Sequence, residues 1–280
     1  MARIAVVFLA AACLLAPRIA CAADLPMKAR PVVPATPAYT WTGFYIGGHV
    51  GALWTRQDVE WDPLPLGNRL GIDFGVNPTV GRLSTAASLV GGVHGGYNWQ
   101  FAPAWLLGIE ADSSWTSASS SANSIWTLFG TTQPVANSLT TMSNRLDWLS
   151  SVRGRIGYLV LPNALIYLTG GGAWGRYDYS ASAFNGVLLQ NGGYLATTSF
   201  ARTETGYVLG GGLEWALTRN WLIRSEYLYY RLGGANSVAF SPNLPTTFPS
   251  SFTWRDPTVH VARLGLSYRF DWGVPLVAKY

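Results

Sequence analysis

Leu89-Val90-Gly91-Gly92-Val93-His94-Gly95-Gly96-Tyr97-Asn98-Trp99-Gln100-Phe101 is the stretch that decides how this chain folds. Its odd positions run Leu, Gly, Val, Gly, Tyr, Trp, Phe, and its even positions end in His94, Gly96, Asn98 and Gln100. Successive side chains of a strand point to opposite faces, so this segment is oily on one side and wet on the other, and it closes on aromatics. A strand with lipid on one side and a polar interior on the other has this pattern.

The composition agrees with a membrane setting. Aromatics make up 14% of the 280 residues and charged residues only 12%, about half the charged share of an ordinary soluble surface. The net charge of +5 is not gathered on one face, which argues against nucleic-acid binding.

Residues 1–22 read as a secretory signal. Arg3 supplies the positive start, Ile4 to Ala16 the apolar core, and Ala20-Cys21-Ala22 the small-residue cleavage pattern. The apolar run is too short to span ~30 Å of hydrocarbon as a helix. Cys13 and Cys21 both lie in this segment, so the expected mature chain carries no thiol, disulfide or thiolate metal site. Residues 23–40 form a stiff Pro/Ala-rich leader placed in the periplasm. Beyond them no apolar run reaches ~18 residues, so membrane insertion requires closed strands, which satisfy every backbone group in lipid.

From residue 41 to 270 the alternation predicts eight strands: Gly43–Trp54, Ser88–Phe101, Trp105–Ser114, Arg145–Leu159, Leu165–Tyr179, Thr205–Leu217, Trp221–Leu232 and Val259–Phe270. Each reaches the ~9–11 residues a tilted strand needs to cross a bilayer. Their links alternate. Residues 102–104, 160–164 and 218–220 are short turns, whereas the links around 55–87, 115–144, 180–202 and 233–258 are long and rich in Ser, Thr, Asn, Gly and Pro. The expected fold is all-β, an eight-stranded antiparallel up-and-down transmembrane barrel with short periplasmic turns and long external loops. The composition of those long loops predicts mobility and variability.

A soluble barrel would also alternate, but with its charges outside. Here Glu110, Asp112, Arg145, Asp147, Arg153, Arg155, Glu214, Arg224, Glu226, Arg263 and Arg269 sit at similar places along the strands, and all are assigned to the interior. Trp99, Phe101, Trp105, Tyr158, Trp215, Trp221, Tyr268 and Phe270 cluster at the short-turn ends and predict one interfacial belt. Trp54, Trp115 and Trp148 fall near the opposite belt.

Several motifs point to one family. Ala23-Asp24-Leu25-Pro26 is followed by Trp41-Thr42-Gly43-Phe44-Tyr45-Ile46-Gly47-Gly48. Further along come Gly95-Gly96-Tyr97-Asn98-Trp99-Gln100, Ser151-Val152-Arg153-Gly154-Arg155-Ile156-Gly157-Tyr158 and Ser225-Glu226-Tyr227-Leu228-Tyr229-Tyr230. The chain resembles the small outer-membrane barrel antigens of alphaproteobacteria, porin-family proteins with an OmpA-like barrel. The resemblance implies an outer-membrane location in a Gram-negative cell, structural, surface-antigen or pore roles, and no catalytic residues to carry over. One departure concerns the barrel's end. Tyr268-Arg269-Phe270 looks like the terminal strand read by the barrel-assembly machinery, yet residues 271–280 follow as a tail.

Candidate chemistry is sparse. Gly170-Gly171-Gly172-Ala173-Trp174-Gly175 matches a dinucleotide fingerprint in letters only, because no helix follows it. His49 and His94 point inward on neighbouring strands as lumen filling rather than as a metal site, and His260 points outward. An outward His260 would suit a lipid-modifying enzyme, but no His–Ser–acid spacing accompanies it. No enzyme activity, cofactor or metal is therefore expected. The interior of an eight-stranded barrel is just wide enough for side chains to fill, so its acids and bases are expected to pair across it. The resulting expectation is a plugged structural barrel that contacts outer-membrane lipid and lipopolysaccharide and displays its loops. A narrow porin for small solutes is the alternative, and the sequence leaves the oligomeric state open.

Overall fold

The computed structural model describes residues 39–63, 77–128, 131–186, 194–240 and 249–270. The signal segment, most of the leader and the tail after Phe270 lie outside the described residues. Eleven strands form one antiparallel sheet: β1 Gly43–Asp62, β2 Thr79–Ser84, β3 Ser88–Ala102, β4 Trp105–Ser124, β5 Ser138–Leu161, β6 Ala164–Asn185, β7 Tyr194–Ala216, β8 Trp221–Leu232, β9 Ala235–Phe240, β10 Pro249–Trp254 and β11 Thr258–Arg269.

Eight of them close into a ring in the order β1-β3-β4-β5-β6-β7-β8-β11. The ring is sealed by β1 against β11, from Tyr45 opposite Arg269 to Arg56 opposite Thr258. Each strand of that ring is paired on both sides, which is what allows strands to sit in hydrocarbon. Phe44, Ile46, Val50, Val93, Ile109, Val152, Leu168, Leu209 and Leu264 all face outward and are exposed. A soluble domain would bury these side chains; the alternation has put them where lipid lies. Among the described residues no helix is long and apolar enough to cross a membrane.

All eight belt aromatics are exposed at the short-turn end. Trp105 stands opposite Tyr158 at a 5.1 Å ring separation, and Trp221 opposite Tyr268 at 5.3 Å, both edge-on. At the other end Trp54 and Trp115 are exposed as expected, Trp148 is half-buried, and Trp174, which the sequence reading did not place there, is exposed as well. From Trp105 to Trp115 the strand rises ~33 Å, or ~25 Å along the normal at ~40° tilt, the height of an outer-membrane apolar band.

The strands do not stop at that second belt, and here the expectation of long loops is corrected. β4 to β7 run on to Ser124, Ser138, Asn185 and Tyr194 as one continuous wall. The upper part of β1 acquires new neighbours on both sides, β2 along Arg56–Trp61 and β10 along Val59–Asp62, with β9 beyond β10. Thr198 of β7 meets Ser237 of β9 at 2.6 Å, and Gly81 of β2 lies against Met142 and Ala122. Most of what composition reads as loop is therefore an extracellular continuation of the barrel. It is stabilised by its own core, in which Trp61 stacks on Trp126 at 4.6 Å and Tyr177 on Tyr179 at 5.6 Å. The interior is thus charged in the middle of the membrane barrel, with an apolar core above it and a second apolar cluster, around Trp41, Leu106 and Leu222, at the short-turn end.

One acid is caught in that apolar part. Glu204, just above the outer belt, is buried, and burial pushes its carboxyl above the usual range while Arg202, 3.5 Å away, opposes the shift. A raised folded-state value favours the protonated form, so its contribution is present at acid pH and is lost as pH rises through the carboxylate range. Glu204→Gln is therefore expected to make the extension more protease-resistant than wild type at pH 7 and no different at pH 4. Equal resistance at both values would count against this burial.

Close strand approach fixes some residues outright. A Cβ on Gly171 would run into the carbonyl oxygen of Val152 on β5, so Gly171→Ala must push two paired strands apart. We expect it to lower the yield of heat-modifiable barrel on refolding into vesicles at least several-fold. The same substitution at Gly154, where a Cβ meets only open space and one carbonyl at 4.0 Å, should leave the yield unchanged.

Candidate functional site in the barrel interior

Between the two belts the lumen is filled by four arginines and four carboxylates, all buried: Arg153, Arg155, Arg224, Arg263, Glu110, Asp112, Glu214 and Glu226. Strand alternation aims them inward, and the ladder sets their heights. Glu110 stands opposite Arg153 across β4–β5, Glu214 opposite Arg224 across β7–β8, and Glu226 opposite Arg263 across β8–β11.

Arg153 occupies the centre. It bonds Glu110, lies 3.1 Å from Asp112, and donates to Glu226 at 2.9 Å. Arg263 donates to Glu226 at 2.7 Å and to Asp112 at 3.0 Å. Arg224 reaches the second oxygen of Glu110 at 2.5 Å, and Arg155 bonds Glu214. Equal numbers of opposite charges make the cluster neutral, and pairing on several sides is what lets ions persist where desolvation costs several kcal/mol each. The pairs are charge-assisted, the stronger class of hydrogen bond.

Tyrosines tie the cluster to the wall. Tyr45 donates to Glu110 at 2.7 Å while accepting from Arg155 at 3.1 Å, and Tyr167 donates to Glu226 at 3.0 Å. The Arg155 guanidinium also lies 4.2 Å from the Tyr167 ring centre. Ser151 donates to Asp112 at 2.5 Å. The sequence reading passed over Tyr45, Tyr167 and Ser151. Their signal was the parity that placed Arg153, since all three alternate inward on strands already assigned.

His49 and His94 sit beside this cluster, Nδ1 to Nδ1 at 3.2 Å. The outer nitrogens meet Ser114 and Ser267, each at 2.8 Å. Each ring fits because a glycine lies opposite it in the ladder, Gly92 for His49 and Gly47 for His94. A Cβ on either glycine would come within 2.7 or 2.6 Å of the ring nitrogen. With both nitrogens of each ring engaged, the pair is a packed hydrogen-bonded chain, and among the described residues no group of three metal-ligating side chains exists.

Three assignments to the interior charge cluster are corrected. Asp147, and Arg145 with it, lies on the outer wall: Arg145 pairs with Asp147 at 3.0 Å and with Asp178 at 2.9 Å. The cause is a β-bulge, because the register of β5 against β6 jumps between Leu146 and Trp148. One extra residue reverses the faces, so inward positions are even up to Leu146 and odd from Leu149. Arg269 does point inward, but at another height. It donates to the Arg219 carbonyl at 2.8 Å and covers the Tyr39 ring at 4.5 Å. Six residues separate it from Arg263, ~20 Å along the strand, beyond reach of the carboxylates.

A closed strand ring with a lipid-facing apolar band, aromatic belts at both rims and a charged interior defines a bacterial outer-membrane β-barrel. The chain belongs to the outer membrane protein beta-barrel domain family, which matches residues 10–270. It is 32% identical over 259 residues to the 31 kDa outer-membrane immunogenic protein of Brucella melitensis, covering 90% of this chain and 93% of that protein. It is also 28% identical over 196 residues to the 22 kDa outer membrane protein of Rhizobium leguminosarum bv. viciae, covering 70% of this chain and 66% of that one. Among solved structures, the Ail protein of Yersinia pestis aligns over 82% of this chain and all of its own at TM-score 0.31 and 14% identity. The outer membrane protease OmpT of Escherichia coli aligns over 84% and 99% at TM-score 0.42, also at 14% identity. The protein resides in the outer membrane.

Proposed function

We propose that this barrel is a structural and surface-antigen protein of the outer membrane whose lumen is plugged, rather than a porin or an enzyme. The observation that carries the reading is the neutral cluster around Arg153. Its guanidiniums and carboxylates are already spent on one another, so a permeating ion or solute would have to break several charge-assisted bonds in a low-dielectric interior. The apolar core above it supports the same reading, since water crossing from outside would first have to displace packed Trp61, Trp126 and Tyr179. The extension presents a wall of paired strands to the exterior, a surface suited to recognition by antibodies. Immunogenicity is stated in the name of the Brucella relative and is extended here to this chain.

Liposome swelling tests the proposal directly. Vesicles carrying the refolded barrel are expected to swell in isotonic arabinose or glycine no faster than protein-free vesicles. Swelling at porin-like rates would establish the pore reading instead.

A further inference from the structure

The lipid-facing wall is not uniform. On the face made by β7, β8, β11 and β1 a row of mostly small side chains, Ala52-Ala262-Tyr227-Gly211, crosses four paired strands. It floors an apolar groove of about 780 Å³ walled by Val50, Leu213 and Leu264. The next row toward the outside is Trp54-His260-Tyr229-Leu209. There the Tyr227 hydroxyl and His260 Nδ1 are 2.6 Å apart, and His260 packs edge-on against Tyr229 at 5.1 Å. The row above that is Arg56-Thr258-Arg231-Tyr207, with both arginines exposed. Among the described residues Arg56 makes no ion pair, and Arg231 has only a loose, half-exposed one to Asp256 at 3.4 Å.

We infer that this wall holds one lipid A moiety of the outer leaflet: acyl chains in the groove, a sugar against the Trp54–His260–Tyr229 row, and phosphates on Arg56 and Arg231. The vertical order of the three rows matches the order of chemistry in such a lipid, from hydrocarbon through the amphipathic interface to anion. The horizontal spacing selects among lipids. Arg56 and Arg231 flank one strand, so their Cα atoms stand ~10 Å apart, which suits phosphates at the two ends of a disaccharide better than a single glycerol phosphate. Guanidiniums favour phosphate through bidentate hydrogen bonds. His260 thereby acquires a role as part of a lipid-docking face. The inference rests on the outer-membrane location and is independent of whether the lumen conducts.

The test uses the refolded, heat-modifiable mature barrel in detergent. Binding is measured for three probes: bisphosphorylated lipid A, the same lipid A dephosphorylated, and phosphatidylglycerol. Wild type is expected to hold lipid A at least about tenfold more tightly than either other lipid, the effect of losing one charge-assisted contact. Arg56→Gln with Arg231→Gln should lose about tenfold, and Ala262→Leu, which fills the groove, a comparable factor. Arg145→Gln with Arg176→Gln, on β5 and β6 of the opposite wall, should bind as wild type does. The inference is overturned if phosphatidylglycerol binds as tightly as lipid A. It is equally overturned if neither set of groove-wall variants weakens binding, or if the opposite-wall pair weakens it as much.

Discussion

Arg153→Met is expected to destabilise the folded barrel by about 3–5 kcal/mol, the cost of leaving buried charge without its partner. The side chain is fully buried and contacts Glu110, Asp112 and Glu226 together, so its loss removes three ion pairs and leaves the cluster one negative charge in excess. Methionine fills similar volume, which separates the electrostatic effect from a cavity. The urea midpoint of the heat-modifiable form, measured in lipid vesicles, should fall accordingly. Adding Glu226→Gln restores neutrality and should recover at least about 1 kcal/mol, because a neutral amide tolerates burial that an unpaired carboxylate does not. An unchanged midpoint for Arg153→Met would mean that the cluster is solvated and its ions do not depend on each other.

Trp254→Ala should separate the extension from the membrane barrel. Trp254 is fully buried, 5.2 Å from the Tyr179 ring, 5.5 Å from Phe200 and 5.9 Å from Phe252, in a core that no lipid reaches. Truncating a buried tryptophan costs about 3–5 kcal/mol, and β9 and β10 are short strands of six residues each. External protease should then cut the β9–β10 region at least tenfold faster, while the gel shift on boiling persists. Loss of the shift would show instead that barrel and extension fold as one unit.

What was legible in the sequence follows from period and punctuation. Two-residue alternation and short turns such as Pro103-Ala104 gave the ring, the lipid face, both belts and the eight side chains of the central cluster. What escaped has physical reasons. Alternation assigns a face but not a height, so Arg269 could not be separated from Arg263. A bulge depends on the partner strand, and nothing in Arg145-Leu146-Asp147-Trp148 marks the extra residue that turns Asp147 outward. Ser- and Thr-rich stretches such as Ser120–Ser124 read as loop by composition, yet this one forms strand because each residue pairs with a neighbour in Thr140–Asn144. The apolar interior of the extension was hidden for the same reason: Tyr177, Tyr179 and Trp254 lie in or beside segments whose polar outward partners dominate the composition.

Single-channel recording in planar bilayers tests the filled interior most directly. With the refolded barrel inserted at 1 M KCl, we expect a baseline without sustained steps. Long-lived conductance steps of porin size in wild type, with selectivity that inverts in Arg153→Glu, would contradict the account.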